Sequence, residues 1–318
     1  MADFAERFLI RKGEKVDLSE ISTEADPKAV REEVEGKLFP AVVTRISELQ
    51  EKLWAENTQG LIVVLQGMDA AGKDSTVRKV FGEVDPAGLN IVSFKAPSAE
   101  EQDHDYLWRI NKGLPSRGMI GIFNRSHYED VVAARLHGLV QKGQLPEEVK
   151  RDKNVWDERL EQIRNWEKYL RQNGFRMVKV FLHVSKREQE KRLSDRLFNE
   201  AKHYKFSLSD LAERRYWNEY QELYARTIEE TTTDVAPWYV VPADDKWYTR
   251  YAVAEIVRGA LEEMDPKYPP LSPEVQAKLD ELKQIFEMAE RLKIVKPVKK
   301  GEGKKGDGKK AGKEGEND

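Results

Sequence analysis

The sequence predicts an α/β protein with a doubly wound parallel sheet. Two observations predict it: five short aliphatic, β-branched runs alternate with longer helical patterns, and the first run leads directly into a glycine-rich loop. Continuous apolar runs of this kind are typical of parallel strands that are buried on both faces. Because ligands bind at the carboxyl ends of the strands in such sheets, we expect the functional site there.

The predicted elements follow one another in a regular order. The strands are expected at residues 61–66, 89–94, 119–124, 177–184 and 238–242. The helices are expected at residues 27–56, 73–82, 99–112, 127–137, 147–172, 187–197, 209–231 and 246–263. A proline-rich linker then leads into an appended amphipathic helix at residues 272–295.

The two ends of the chain differ from this pattern. Residues 1–26 are predicted as an N-terminal extension to a main domain at 27–271. Residues 296–318 contain eight lysines, five acidic residues and six glycines but almost nothing apolar. Such a segment cannot bury enough surface to offset the entropy of ordering, so we expect a disordered tail.

Composition excludes several classes of function. The 318 residues include no cysteine, which excludes disulfides, thiolate metal sites and cysteine nucleophiles. No run approaches the roughly 18 apolar residues of a membrane span, so we expect a soluble, cytoplasmic protein without a membrane partner. The net charge of -3 balances 54 basic and 57 acidic residues, which does not indicate a nucleic-acid surface.

The loop after the first strand reads GMDAAGK and matches the phosphate-binding pattern G-x-x-x-x-G-K, also called Walker A. Gly67 and Gly72 allow the backbone to curl, so that N–H groups of the loop around Ala70 and Ala71 face a phosphate. Lys73 is expected to reach the outer phosphates. A strand before the loop and a helix after it are the context that the motif requires.

Two carboxylates in this loop are unusual for an anion site. Asp74 occupies the position of the Ser or Thr that normally binds magnesium, and Asp69 lies within the loop itself. We expect Asp69 to direct magnesium or orient a phosphate, although a hydrogen-bonding role within the loop is the alternative. For Asp74 we favour an interaction with the positive helix end.

A second motif, FNRSHYED, follows the third predicted strand. Arg125 is placed to bind phosphate oxygens with its planar fork, or alternatively to pair with a neighbouring acid. Glu129 and Asp130 offer oxygen ligands for magnesium. Together with Asp69 and Lys73, these three residues form the predicted catalytic group.

Four motifs in this order resemble the family-2 polyphosphate kinases, which use inorganic polyphosphate to phosphorylate nucleotides. They are GMDAAGKDST, FNRSHYEDV, KRLSDR and APWYVVPADDKWYTR, within roughly residues 30 to 265. The resemblance implies a P-loop kinase-like catalytic domain of the thymidylate-kinase-like type, a three-layer sandwich with a five-stranded parallel sheet and a helical lid. It also implies magnesium as cofactor, for which we expect Mn²⁺ to substitute, and a homodimer or homotetramer.

The resemblance also assigns roles to further residues. A lid is implied around residues 186–210, with polyphosphate-binding residues Arg192, Arg196, Lys202 and Lys205. The alternative is a solvated helix face on which Glu188 and Glu190 offset these bases. The nucleotide is implied near the loop after the second strand, with Lys95, Asp105, Arg109 and Arg125, although Asp105 and Arg109 are spaced to pair with each other instead. Many family members have an aspartate where Asn124 stands, so the metal role passes to Glu129 or Asp130.

The expected function is magnesium-dependent, reversible transfer of a phosphoryl group from polyphosphate to a nucleotide. The NRSHYED form of the second motif resembles the branch of the family that accepts AMP as well as ADP, and guanine equivalents remain open. Two alternatives are an ATP-dependent nucleoside or nucleotide kinase, which shares the loop and lid, and a polyphosphate-binding regulator without catalysis. The choice of phosphoryl donor distinguishes them.

Overall fold

The computed structural model describes residues 3–292 and divides the chain into two units. The first unit ends at Tyr268, and the second begins at Pro269 and includes one long helix. The expected disordered tail, residues 296–318, lies outside the described residues.

A six-stranded sheet forms the centre of the first unit in the described part of the chain, with the strand order β1-β6-β5-β2-β4-β3. The strands are β1 Leu9–Ile10, β2 Gly60–Gln66, β3 Leu89–Ser93, β4 Ile120–Asn124, β5 Phe175–His183 and β6 Trp238–Pro242. Strands β2 to β6 run parallel, and β1 pairs antiparallel with β6. The α/β class and the five parallel strands are therefore confirmed, with one short edge strand added.

Helices connect the strands and flank the sheet. Among the described residues the α-helices are α1 Asp3–Glu6, α2 Arg31–Glu33, α3 Phe39–Glu56, α4 Lys73–Val80, α5 Ala99–Gln102, α6 Trp108–Lys112, α7 Ala133–Leu136, α8 Leu139–Lys142, α9 Glu147–Arg151, α10 Val155–Gln172, α11 Lys186–Phe198, α12 Leu208–Glu213, α13 Trp217–Thr231, α14 Lys246–Met264 and α15 Pro273–Arg291. Short 3-10 helices occupy Pro86–Gly88, His127–Asp130, Glu200–Lys205 and Arg214–Tyr216, and a π-helical turn, Val34–Leu38, precedes α3.

The two faces of the sheet are covered by different helices. On β5, Arg176 pairs with Glu263 of α14, whereas Lys179 pairs with Glu167 of α10. Because side chains alternate between the two faces of a strand, α14 and α10 lie on opposite sides of the sheet. The result is the expected three-layer arrangement, with β2 fully buried at its centre.

Several predicted helices are interrupted in the structure. The expected helix 99–112 is split into α5 and α6, and the Asp105 side chain accepts a hydrogen bond from the backbone N–H of Leu107 in the turn between them. The expected helix 127–137 begins as a 3-10 turn, where Ser126 accepts from the N–H of Tyr128. Short polar side chains that bind nearby backbone groups compete with helical hydrogen bonds, which periodicity alone does not reveal.

The predicted N-terminal extension belongs to the first unit and packs against α14 and β6. The Phe4 and Phe8 rings contact Tyr248 of α14 at centroid distances of 6.0 and 6.2 Å. Leu9 pairs with Tyr239 in the edge strand β1. Two residues are too short a strand to produce a visible alternation in the sequence, so β1 was not predicted.

Among residues 3–292, none of the helices has both the length and the apolar character that crossing a membrane requires.

Candidate functional site

A cleft of about 1260 Å³ lies at the carboxyl ends of β2, β3 and β4, where a ligand is expected in this type of sheet. The predicted site residues that line it are Asp69, Ala70, Gly72, Lys73, Lys95, Asp105, Arg109, Arg125, Glu129, Asp130, Arg192, Arg196, Lys202 and Lys205. Gly67 and Ala71 belong to the same loop and are buried beneath its surface. The fold therefore brings the phosphate loop, the loop after β3, the second motif and the basic residues 192–205 to one place.

The loop between β2 and α4 depends on glycine at its two ends. Gly67 has φ +146°, and a Cβ atom there would lie 2.8 Å from the carbonyl oxygen of Leu182. Gly72 has φ +114° and forms the N-cap of α4. Both positions are strained for residues with a side chain, which explains the glycines of the motif at these two positions.

Lys73 curls back over this loop. Its Nζ donates to the carbonyl oxygens of Gly67 at 2.6 Å and Met68 at 3.1 Å. Burial, with the positive charge of Arg125 nearby, lowers the pKa of Lys73 to about 8. A buried ammonium with two uncharged partners favours an additional anion, because a phosphate would supply the missing countercharge.

Arg125 follows β4 and has an unusual backbone conformation. Its φ of +63° is in the left-handed region, which non-glycine residues rarely adopt and which is common at functional sites. The guanidinium hydrogen-bonds to Asp69, and its Nη1 lies 3.6 Å from Oε2 of Glu129. Burial opposes its charge, but these two carboxylates raise the pKa of Arg125 above its usual value.

The three predicted metal-binding carboxylates are divided between two arginines. Asp69 and Glu129 face Arg125, whereas Asp130 accepts from Arg109 at 3.1 Å. Within residues 3–292 no cluster of three or more potential His, Asp or Glu ligands is formed. The expected three-carboxylate magnesium site is therefore not assembled, because Asp130 is drawn towards a different cation.

Asp69 and Glu129, which both lie beside Arg125, are the two carboxylates that could hold a divalent cation. Burial raises the pKa of Glu129, so its charged form lacks sufficient compensation from the protein alone. Hard oxygen ligands such as these two carboxylates suit Mg²⁺, which usually completes its coordination with water and phosphate oxygens.

Arg109 connects the loop after β3 to the second motif. Its Nη1 donates to the carbonyl oxygen of Lys95 at 2.7 Å, and its Nη2 donates to Asp130. The alternative pairing with Asp105 is not formed, because Asp105 precedes α6 and receives the N–H of Leu107 instead. The side chains of Lys95, Asp105 and Arg109 all border the cleft, as the expected nucleotide site requires.

Arg192 differs from its prediction as a polyphosphate ligand. It is only 7% exposed, and its guanidinium donates to one carboxylate and four backbone carbonyls of the protein. A guanidinium has five N–H groups, so all of them are already used. The side chain lies against the floor of the cleft and does not offer a free donor to a polyanion.

The other basic residues predicted to bind polyphosphate are only partly engaged in contacts with the protein. Arg196 donates to Asp210 at 2.9 Å, and Lys202 pairs with Asp195. The Nζ atom of Lys205 lies 5.4 Å from the ring centroid of Tyr204. These pairs are partly exposed at the cleft, so a polyanion can compete for the cations.

A buried network beneath the second motif was missed in the sequence. Lys179 on β5 is fully buried and donates to Glu167 at 2.8 Å, to the Tyr128 hydroxyl at 2.9 Å and to the carbonyl of Thr231 at 2.7 Å. Tyr128 in turn donates to Glu167 at 2.7 Å. Burial opposes the negative charge of Glu167, but Lys179 and His127 hold the pKa of Glu167 below its usual value.

Two more residues that contact the site escaped the sequence prediction. Gln189 donates to the backbone carbonyl of Asp69 at 3.1 Å, and Arg159 donates to the carbonyl of Asp130 at 2.9 Å. Gln189 has a usable signal, since it lies one helical turn before Arg192. Arg159 is distant in sequence from every motif and has no such signal.

Comparison with known sequences agrees with this architecture. A family model described as Polyphosphate kinase 2 matches residues 30–269. An ADP-polyphosphate phosphotransferase of Rhodopseudomonas palustris is 41% identical over 87% of this chain and 96% of its own length. An AMP/ADP-polyphosphate phosphotransferase of Meiothermus ruber is 45% identical over 71% of this chain and 80% of its own length.

A solved structure gives the same result. The crystal structure of Polyphosphate Kinase 2 from Arthrobacter aurescens TC1 is similar to this chain with a TM-score of 0.80 and 39% sequence identity. The similarity covers 88% of this chain and 96% of that one. The likeness therefore includes nearly the whole fold and is not limited to the phosphate loop.

Proposed function

The chain belongs to the polyphosphate kinase 2 family, and we propose that it transfers the terminal phosphoryl group of inorganic polyphosphate to AMP or ADP. In the reverse direction it extends polyphosphate from a nucleoside triphosphate. The names of the two relatives described above support this donor and these acceptors. Guanine nucleotides are further candidate acceptors, because base choice depends on pocket shape.

The single observation that carries the proposal is the meeting of Lys73, Arg125 and Asp69 at the end of β2. Lys73 and Arg125 place two cations beside the loop, and Asp69 pairs with Arg125. Phosphoryl transfer spreads negative charge over the transferred group, so positioned cations lower its barrier. Two cations held by the backbone and by a carboxylate are suited to that task.

The reaction balances without a covalent enzyme intermediate. A terminal phosphate oxygen of the nucleotide attacks the terminal phosphorus of polyphosphate, and the bond from that phosphorus to its bridging oxygen breaks. The shortened polyphosphate leaves with the bond's electron pair, and the nucleotide gains one phosphoryl group. No strong base is needed, because the attacking oxygen is already ionised at neutral pH.

Magnesium is the proposed cofactor, with Mn²⁺ as a substitute, and Asp69 and Glu129 are the residues that would hold it. The metal would supply charge neutralisation on the transferred phosphates. Asp130 instead positions Arg109, with which it forms a direct ion pair. Glu129 also lies 3.6 Å from Arg125 and helps to orient it.

The two substrates are assigned to different sides of the cleft. Arg196, Lys202 and Lys205 in the lid are proposed to bind the polyphosphate chain, as a track of cations binds equivalent phosphates without reading a sequence. For the nucleotide we propose the surface formed by Lys95, Asp105, Arg109 and Arg125, which all line the cleft.

An ATP-free assay tests the function directly. AMP and ADP are incubated separately with polyphosphate and Mg²⁺, and the products are separated by ion-exchange chromatography. We expect ADP from AMP and ATP from ADP in the absence of any added triphosphate. Product that forms only when ATP is supplied would identify a nucleotide kinase, and tight polyphosphate binding without turnover would identify a regulator.

The remaining proposals concern the protein's surroundings. The family resemblance supports a homodimer or homotetramer, which light scattering on the full chain tests. The cleft's size and the mixed surface charge support small phosphate-bearing substrates and not nucleic acid. A cytoplasmic location is consistent with these substrates and is tested by cell fractionation.

A further inference from the structure

Three successive carbonyl groups of the phosphate loop are held from one face of α11. Gln189 Nε2 donates to the carbonyl oxygen of Asp69 at 3.1 Å. Arg192 Nη1 donates to the carbonyl oxygens of Ala70 at 3.0 Å and Ala71 at 2.9 Å. Gln189 and Arg192 are three residues apart, so a helix places them on the same side.

The remaining N–H groups of Arg192 are directed at other parts of the fold. Its Nε donates to Glu188 at 2.9 Å on the same helix. Its Nη2 donates to the carbonyls of Ala243 at 2.7 Å and Asp244 at 2.8 Å, which follow β6. One guanidinium therefore ties the loop after β2 to the loop after β6 and uses its full complement of donors.

Holding these carbonyls fixes the direction of the loop's N–H groups. In a planar trans peptide the C=O and the following N–H point in opposite directions. Carbonyls that are drawn towards α11 therefore point the following N–H groups of Ala70 and Gly72 away from α11, which is the arrangement of an anion cradle. Ala70 also has φ +62°, a conformation that persists only when its surroundings enforce it.

We propose that Arg192, assisted by Gln189, is a positioning residue that holds the phosphate loop in its anion-binding shape. It acts through the loop backbone and does not touch the substrate. This inference rests on the proposed function for its kinetic consequence, but its structural consequence is independent of which substrate the cleft binds.

Two substitutions separate positioning from charge. Arg192→Met removes the charge and the donors, whereas Arg192→Lys keeps the charge but offers three donors from a single nitrogen, which cannot reach five acceptors in a planar fan. We expect both variants to lose kcat to a similar degree, about 100-fold, because misplacement of a site by about 1 Å has that effect. If Arg192→Lys retained wild-type kcat and only Arg192→Met raised the KM for polyphosphate, a direct charge role would be shown and the proposal would be wrong.

A matched control uses a second buried arginine. Arg258 on α14 is also 7% exposed and pairs with Glu255 at 2.6 Å, away from the cleft. Arg258→Met is therefore expected to lower stability while kcat stays near the wild-type value. A comparable kcat loss in that variant would mean that any buried arginine matters, which would remove the support for Arg192.

Hydrogen exchange provides a readout that does not need activity. In Arg192→Met we expect faster amide exchange in the peptide that covers residues 67–73, with Arg258→Met showing wild-type exchange there. Gln189→Leu should give a smaller increase at the same peptide. Unchanged exchange in Arg192→Met would overturn the inference. A wild-type protein without polyphosphate-dependent transfer would refute the proposed function alone, because the exchange result would still test the loop.

Discussion

Asn124 and Asp74 are hydrogen-bonded to each other at the mouth of the cleft, with 2.5 Å between Asn124 Nδ2 and Asp74 Oδ1. Each residue stands at a departure from the expected motif: Asp74 replaces the hydroxyl residue after Lys73, and Asn124 replaces an aspartate common in the family. The two departures are thus partners. Asp74 therefore accepts a hydrogen bond from the last residue of β4, in addition to the predicted interaction with the N-terminus of α4.

This pairing separates the roles of the two loop carboxylates. Asp69→Asn removes a charge that faces Arg125, and we expect a rightward shift of the Mg²⁺ titration and a loss of kcat of at least about 10-fold, since electrostatic stabilisation is usually the largest catalytic contribution. Asp74→Asn keeps the acceptor for Asn124 while removing its charge. Its Mg²⁺ titration should remain close to that of the wild type.

The two variants are compared in one assay of initial rate against free Mg²⁺ at saturating polyphosphate. A shift in Asp74→Asn with none in Asp69→Asn would reverse the assignment of the metal-directed carboxylate. Circular dichroism at the assay temperature controls for folding.

Loss of the Lys73 proton is expected to lower activity at alkaline pH. Because its pKa is lowered to about 8, the free enzyme loses this positive charge as the pH rises through that value. We expect kcat/KM to fall above about pH 8, whereas kcat falls at higher pH, because bound phosphate stabilises the ammonium. A kcat/KM that stays flat to pH 10 would contradict a required lysine charge.

The same shift predicts the pH dependence of stability. The unfolded chain keeps the Lys73 proton up to about 10.5, while the folded chain releases it near 8. The unfolded state therefore binds more protons between these values, so this group makes the free energy of unfolding rise with pH there, by about 3 kcal/mol in total. Urea denaturation of Lys73→Met should lack this rise.

Arg125 is expected to be essential for turnover. Arg125→Ala removes a cation from the transferred phosphate and should lower kcat by about 10³-fold, as for arginines that stabilise phosphoryl transfer in other enzymes. Arg117→Ala is the matched control. Arg117 lies near the opposite end of β4, where its Nη1 donates to the carbonyl of Asn173 at 2.6 Å. Near-normal activity of purified, folded Arg125→Ala would refute the proposed site.

The buried Lys179–Glu167 pair should dominate local stability. Glu167→Gln leaves the buried ammonium of Lys179 without its countercharge, at a cost of about 3 to 5 kcal/mol. Adding Lys179→Met to Glu167→Gln should cost less than the sum of the single changes, because the second substitution removes the unpaired charge. Urea denaturation of the four proteins measures this coupling.

A surface pair serves as the reference for that cycle. Glu147→Gln breaks the exposed contact with Lys150, for which we expect little change in the urea midpoint. Additive effects of Glu167→Gln and Lys179→Met would mean that the two buried charges do not compensate each other.

Substitutions of the two members of the Lys202–Asp195 ion pair should have opposite effects on polyphosphate binding. Lys202→Ala should raise the KM for long-chain polyphosphate, and Asp195→Asn, which releases Lys202 from its partner, should lower it. We expect changes of about two- to fivefold, because exposed charge pairs are worth up to about 1 kcal/mol. Both effects should diminish in high salt. Changes of the same sign would exclude Lys202 as a polyphosphate ligand.

The sequence predicted the sheet better than the helices. The five parallel strands are continuous apolar runs, as is typical of strands covered on both faces, and β2, β4, β5 and β6 are largely buried. The edge strand β3 differs, since its residues are partly exposed. The helices around the cleft are short and interrupted, since side chains such as Asp105 and Ser126 bind backbone groups instead of continuing the helix. Such interruptions depend on individual side chains, so they leave no periodic pattern in the sequence.

The sequence by itself determined the α/β class, the phosphate loop and the set of charged residues around it. Local spacing was enough, because the pattern G-x-x-x-x-G-K between a strand and a helix indicates a phosphate-binding loop. Only the tertiary structure decided which charges meet which: Asp69 faces Arg125, Asp130 faces Arg109, and Arg192 faces the loop backbone. Those pairings join residues that are distant in the chain, and their selection depends on packing, which spacing does not encode.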